Sequence, residues 1–319
     1  MKNKNWSPVD LSKVTTYPLS ERTNKVFVQD FAEPIGPKLL INDLFASLPK
    51  ILKGQDLTTL IDSIVFAYHQ QKPVIAMLGG HVVKCGLSPV LIDLMQMGVI
   101  SALVLNGSTA IHDFEVGVIG ETSEDVEINI QTGQFGMADE TGRWMNHASR
   151  QAADNGIGLG LGFAEALWAL NPPHAEVSLL AQAKRLDIPI TVHVAIGTDI
   201  IHQHPTADGA ALGKASFDDF RLLTAIVADL DCGGVVVNFG SAVILPEVFL
   251  KSLTVARNLG HTIRQFTTAN FDMVKQYRPQ ENVVRRPTSD GGQGFTFCGH
   301  HEIMIPLLAA GIKSRLIYD

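Results

Sequence analysis

Pro73-Val-Ile-Ala-Met-Leu78, running into Gly79-Gly80-His81-Val82-Val83-Lys84-Cys85-Gly86 and then Leu87-Ser88-Pro89, is the stretch that decides the fold. A short apolar run bounded by Pro and paired glycines has the pattern of a strand covered on both faces. The helix after it opens at Ser88-Pro89, with Ser as N-cap and Pro in the first turn, and closes at Gly98. Strand, Gly-rich turn and helix form one unit, and the unit recurs.

Upstream, Leu60, Ile61, Ile64, Val65 and Tyr68 fall at helical spacing, giving an amphipathic helix from Leu57. Residues 1–40 are polar, carry Pro8, Pro18, Pro34 and Pro37, and read as an arm ahead of a single domain over 41–319. Downstream, strands are predicted at Ser101–Leu105, Ile188–Ala195, Gly234–Asn238, Thr262–Thr268 and near Phe295–Cys298. Helices are predicted at Thr109–Ile119, Arg143–Asn155, Ala175–Leu186, Pro246–Leu259 and Glu302–Ala310, with an acidic, Gly-containing excursion over Glu121–Gly142. Ser216-Phe-Asp-Asp219 has the form of a capping box and predicts a helix running to about Leu230. Buried strands alternating with helices specify an α/β protein with a doubly wound, largely parallel sheet of the Rossmann-like kind.

Composition narrows the function classes. Apolar residues make up 46% and charged residues 18%, which suits a large core and excludes disorder. No apolar run approaches the roughly 20 residues of a membrane span, and Met1–Lys13 has no apolar stretch after its lysines, so neither membrane nor secretion is expected. Three separated cysteines, Cys85, Cys232 and Cys298, fit reduced thiols in a cytoplasm. A net charge of −7 without a basic block argues against nucleic acid and mildly favours a cationic or neutral small molecule.

In such a sheet the ligand lies beyond the carboxyl ends of the strands. Gly79 and Gly80 would let backbone approach a ligand. Lys84 has three readings: phosphate binding, imine formation with a carbonyl, or a solvated side chain. After the second strand, Asn106, Gly107 and Ser108 suit ribose or phosphate, and His112 beside Asp113 suits acid–base work; ordinary capping is the structural alternative. After the third come His193, Asp199, His202 and His204; Asp199 suits a ribose or an amine. The histidines, and equally His300-His301-Glu302, raise metal binding without a fixed ligand spacing, so no metal is assigned. Asn238–Ala242 and Thr267–Asp272 supply further small polar residues. Five polar strand ends favour a nucleotide-sized ligand.

Over about residues 70–315 the order of elements resembles the deoxyhypusine synthase family. Ile188-Pro189 through Gly197-Thr198-Asp199 resembles that family's Pro-containing strand and aspartate turn. Thr268-Ala269-Asn270-Phe271-Asp272 resembles its cofactor-contacting Thr-Ala…Phe-Asp segment. Arg278-Pro279-Gln280-Glu281 resembles its Arg-Pro-Asp-Glu run, and Ile305-Pro306-Leu307-Leu308 its late Phe-Pro-Leu-Leu.

The resemblance implies a homotetramer, or at least a homodimer, with shared active sites and bound NAD. It also implies a reaction that oxidises spermidine and carries the aminobutyl group as an imine on a lysine. Here Asn282-Val-Val-Arg285-Arg286-Pro287 follows the run without that lysine, and arginine is no nucleophile. Leu245-Pro246-Glu247-Val248 stands where the family has paired histidines. The expectation is therefore an NAD-dependent transferase or oxidoreductase acting on a small, polyamine-like amine, and not a deoxyhypusine synthase. Lys84, His112, Asp113 and Glu281 are the catalytic candidates. Gly79, Gly80, Asn106, Gly107, Ser108, Asp199, Thr268, Ala269 and Asp272 are the cofactor candidates. The alternatives are a non-catalytic nucleotide- or polyamine-binding relative and a histidine-based metal hydrolase.

Overall fold

The apolar runs pair into one sheet. The computed structural model describes residues 6–38 and 40–316. Its strands are β1 (Val74–Leu78), β2 (Ala102–Asn106), β3 (Ile190–His193), β4 (Val235–Phe239), β5 (Thr267–Asp272) and β6 (Gln293–Cys298). They lie in the order β3-β2-β1-β4-β5-β6, and every neighbouring pair is parallel. The order reverses between β1 and β4, which is the switch point of a doubly wound sheet.

Strand side chains alternate between two cores. Val74, Ala76 and Leu78 of β1 enter the larger one, while Ile75 and Met77 enter the smaller. The larger core is covered by α2 (Leu52–His69), α4 (Ser88–Gln96), α5 (Gly107–Ile119), α7 (Asp139–Asn155), α8 (Leu159–Ala169), α9 (Leu179–Arg185) and α13 (His301–Leu316). Leu223 and Val227 of α10 (Gly209–Val227), with Phe249 and Leu253 of α11 (Ile244–Asn258), close the smaller one. Shorter helices are α1 (Ile41–Ser47), α3 (Gly80–Lys84), α6 (Val126–Asn129) and the turn α12 (Tyr277–Pro279), which runs into a π-helix over Gln280–Arg285. Residues 6–38 carry only short 3-10 turns, and side chains such as Trp6, Tyr17 and Phe27 are exposed. Among the described residues no helix is long and apolar enough to cross a membrane.

Several elements differ from the sequence expectation, and the following differences have a physical reason. β5 runs on to Asp272 rather than ending at Thr268, because its polar Asn270 is satisfied inside the sheet by Asn238 Nδ2 at 2.7 Å. α10 begins at Gly209, where the Asp208 carboxylate accepts from Ala210 N and Ala211 N. Ser216 is therefore mid-helix, and its hydroxyl donates to the Val192 carbonyl at 3.0 Å. Ser88 is the first helical residue of α4 and not its cap; Leu87 holds that place. Helix α8 has no sequence signal because Leu159-Gly-Leu-Gly-Phe-Ala-Glu-Ala-Leu-Trp-Ala169 has almost no polar face. Its start is held by buried Asp219, whose carboxylate accepts from Gly160 N at 2.8 Å and Val192 N at 2.7 Å.

Candidate functional site

The ends of β1, β2, β3 and β4 are drawn together by close approaches at three glycines. A Cβ on Gly79 would stand 2.5 Å from the Gly240 carbonyl oxygen; one on Gly80 would meet Ser108 Oγ, and one on Gly107 the Asp199 carboxylate. The space at these glycines is thus filled by the chain itself. Asn106 caps α5 by accepting from Thr109 N at 2.9 Å, and the Thr109 hydroxyl donates to the Leu78 carbonyl at 2.7 Å. This locks the first turn of α5 onto β1.

Beyond that turn lies a cavity of about 710 Å³, within the size range of small-molecule sites. Ser108, His112, Glu115 and Ile119 line it from one stripe of α5, at the spacing that places side chains on a common face. Thr141 and Trp144 of α7, Phe135 and Glu121–Glu124 of the excursion, Thr198 and Asp199 after β3, and Lys84 of α3 complete the wall. Five carboxylates (Glu115, Glu121, Glu124, Glu140 and Asp199) face this space against one lysine. The field favours a cation.

A hydrogen-bond chain crosses the wall. The Thr122 hydroxyl donates to Glu115 Oε2 at 2.5 Å and lies 2.8 Å from His112 Nδ1; the Thr141 hydroxyl donates to Glu115 Oε1 at 3.0 Å. Burial, with the nearby Lys84 charge, lowers the His112 pKa to about 4, so its imidazole is neutral near pH 7. Asp199 is raised to about 6 by burial, partly opposed by the Thr198 hydroxyl. Beside it His202 Nδ1 accepts from Gly197 N and Asp199 N, leaving His202 Nε2 buried and, among the described residues, without a hydrogen bond, 3.9 Å from the Asp199 carboxylate.

The structure brings Lys84, Ser108, His112 and Asp199 into one cavity, whereas Asn106 and Gly107 do not line it and the other candidates are dispersed. Asp113 lies under α5 with no exposed surface. It accepts from Ser178 Oγ, Leu179 N and Leu180 N at 2.7–2.8 Å, and so caps α9. Burial raises its pKa to about 6 against those three hydrogen bonds. Thr268 and Ala269, expected in a strand-end loop, are interior residues of β5. Thr268 stands four residues, about 13 Å at a strand's rise, before the carboxyl end. Asp272 is at that end. Glu281 lies in the π-helix, ion-paired with Arg285 and Arg286, and does not line the cavity.

The suspected metal histidines go separate ways. His193 meets the Thr191 hydroxyl and His204 the Thr206 hydroxyl. Among the described residues no group of three or more His, Cys, Asp or Glu is arranged to hold a metal. Sequence reasoning passed over Glu115, Thr122 and Thr141. Glu115 was detectable as the residue one turn beyond His112; Thr122 reaches the ring only through the chain reversal at Gly120, whose φ is +75°.

No family model and no curated protein matches the chain. Solved structures do. A conserved protein described as LOR/SDH from Methanococcus maripaludis S2 superposes with a TM-score of 0.52 at 15% identity, over 84% of this chain and 71% of that one. The ternary complex of AgrE with ornithine and NAD+ superposes at 0.51 and 10% identity, over 83% of this chain but only 34% of AgrE. A protein described as a deoxyhypusine synthase from Entamoeba histolytica gives 0.49 at 10% identity, over 86% and 94%. For the first two, at 15% and 10% identity, the likeness is one of fold.

Proposed function

We propose that this chain is an NAD-dependent enzyme acting on a small cationic amine, as a transferase or oxidoreductase. The observation that carries the reading is the acid-walled cavity at the carboxyl edge of the sheet, holding a neutral imidazole among five carboxylates. A protonated amine is drawn by that charge, and His112 is the group able to take a proton from it or from an adjacent carbon. Solved structures of the same fold include a complex with ornithine and NAD+, which supports an amine and a nicotinamide cofactor together.

The fit of the cofactor rests on the donor set at the start of α5. Ser108, in the first turn of α5, offers its hydroxyl at a helix N-terminus, and Asp199 offers an acceptor beside His202 Nε2, which has no hydrogen-bond partner among the described residues. When bound, NAD supplies a hydride acceptor. The residues of this chain bind and orient the amine, present the neutral imidazole of His112 to it and shield the reacting carbon behind Phe135 and Trp144. The family lysine is absent from Arg278–Pro287, so transfer of an aminobutyl group to a protein acceptor is not expected. Assembly as a homodimer or homotetramer, with the arm of residues 6–38 packed on a neighbouring copy, belongs to the same proposal.

Calorimetry with NAD+ and NADH, alone and with diamines or polyamines, tests this reading directly. Binding is expected, with a rise in melting temperature at millimolar ligand. No heat and no shift with either cofactor would sink the nicotinamide part. Lys84 is assigned by borohydride trapping with NAD+ and an amine: an adduct lost in Lys84→Arg makes it an imine-forming nucleophile. Retained affinity in Lys84→Arg without any adduct makes it an anion binder.

A further inference from the structure

The cavity wall contains a side-chain chain whose proton positions are fixed by elimination. The Thr122 hydroxyl has one proton and stands 2.5 Å from Glu115 Oε2 and 2.8 Å from His112 Nδ1. With Glu115 taken as the ionised carboxylate, it only accepts. Were the hydroxyl to donate to the imidazole, two oxygens with no proton between them would face each other at 2.5 Å. The hydroxyl therefore donates to Glu115, and the remaining contact needs a proton on His112 Nδ1. Thr141 holds the second carboxylate oxygen at 3.0 Å, which fixes the orientation of Glu115.

We infer that Thr122 and Glu115 are positioning residues that hold His112 in its Nδ1–H tautomer and leave Nε2 as the basic nitrogen of the cavity. Among the described residues no hydrogen bond is made to Nε2. The ring's Cδ2 edge lies beside Gly80, where a Cβ would stand 3.3 Å away. A carboxylate orienting an imidazole through one nitrogen, with the other left to take the substrate's proton, is the logic of an oriented general base. Here a threonine hydroxyl is interposed, and it comes from the excursion after α5 rather than from the sheet. The charged groups around the ring are Lys84 on α3, Glu115 on α5, Glu121 and Glu124 on the excursion, Glu140 on α7 and Asp199 after β3.

This inference rests on the reading of His112 as the base, but its test needs neither substrate nor cofactor. The full chain, labelled with 15N-histidine, is examined by long-range 1H–15N correlation near pH 7, with His112→Gln assigning the signal. The expected pattern is protonated Nδ1 and unprotonated Nε2. Thr122→Val should move the ring to predominantly Nε2–H, and Thr122→Ser should restore the first pattern. If Thr122→Val does not fold, Glu115→Gln serves the same end, because an amide can donate to the hydroxyl and release its proton toward the ring. A wild-type ring in the Nε2–H form overturns the inference, as does an unchanged tautomer in a folded Thr122→Val or Glu115→Gln protein. Failure of NAD or amine binding would leave the tautomer result standing, so the two readings fail separately.

Discussion

The two halves of the sheet's carboxyl edge carry similar residues and use them differently. Beyond β1, β2 and β3, polar side chains open onto a cavity: Ser108, His112, Glu115 and Asp199 all line it. Beyond β4, β5 and β6 they are turned on one another. Asn238 Nδ2 donates to Asn270 Oδ1 and to the Ser241 carbonyl at 3.0 Å, and the Thr296 hydroxyl donates to Gln280 Oε1 at 2.9 Å. Buried His301 presses against Gly240, 6.3 Å from the His81 ring between centroids. One half opens its polar groups onto a cavity, while the other ties β4 to β5 through Asn238 and Asn270 and, among the described residues, leaves Asn238 Oδ1, Thr268 Oγ1 and His301 Nδ1 buried without a hydrogen bond. A polar residue at a strand end thus marks this site only where its side chain opens onto the cavity.

If the halves divide this way, substitutions in the first should cost activity and those in the second should cost stability. The largest effect is expected at His112. With NAD+ and the amine that calorimetry selects, His112→Gln should lower kcat by about 10²- to 10⁴-fold, the usual share of a general base. Its melting temperature should stay close to that of the wild type. A fully active His112→Gln enzyme would break the comparison at its centre.

Asn238→Ala probes the other half. It strands Asn270 Oδ1 and the Ser241 carbonyl in a buried setting, at a cost of about 1–3 kcal/mol. Denaturant unfolding should show that loss, while calorimetric affinity for the amine is unchanged. A stable Asn238→Ala protein with impaired binding would move the site across the switch point.

The same division explains what the sequence disclosed. β1, β2 and β4 were legible because Val74–Leu78, Ala102–Leu105 and Val235–Val237 carry only apolar side chains, as strands buried on both faces must. β5 was misplaced because Thr-Thr-Ala-Asn-Phe-Asp reads as a loop until Asn238 is known to lie beside Asn270. Asp113 reads as an acid–base partner of His112 and Asp219 as part of a capping box, yet each is buried and receives backbone N–H groups from other elements of the chain. Such tertiary capping leaves no mark in local spacing. His112 and Lys84 were visible by type and position, but the Thr122 contact that orients the imidazole was not.

Asp199 gives the comparison a pH dependence. Burial raises its pKa to about 6, so the folded chain holds a proton there that the unfolded chain, titrating near 3.8, releases sooner. Its contribution to stability is therefore present at low pH and is lost as pH rises through about 6. Buried His112 and His193, lowered to about 4 and 3, act oppositely, and their contribution is lost as pH falls below the 6.5 of a free imidazole. Binding separates these terms. Ionised Asp199 adds a negative charge to the cavity, so amine affinity should rise by about fivefold between pH 5 and 7. Asp199→Asn should flatten that rise, and an equally steep rise in the variant would assign it elsewhere.

The smallest effect expected is at the mouth of the cavity. Glu121 and Glu140 are exposed carboxylates on its wall, so solvent and salt screen their pull on a bound cation. Each change to glutamine should weaken amine binding by only about two- to fivefold, more at low ionic strength than at high. Glu247 supplies the control. It is an exposed-side carboxylate on α11, ion-paired with Lys251 and Arg278, and no part of the cavity. Glu247→Gln changes the net charge of the chain by the same amount. If attraction by the whole molecule's charge were what draws the amine, all three variants would weaken it alike. If the cavity's own carboxylates draw it, Glu121→Gln and Glu140→Gln should raise the Kd, with a shallower salt dependence, and Glu247→Gln should leave both unchanged. Calorimetric titration at two salt concentrations distinguishes these outcomes, because a uniform loss across the three variants would remove the cavity's local field from the argument.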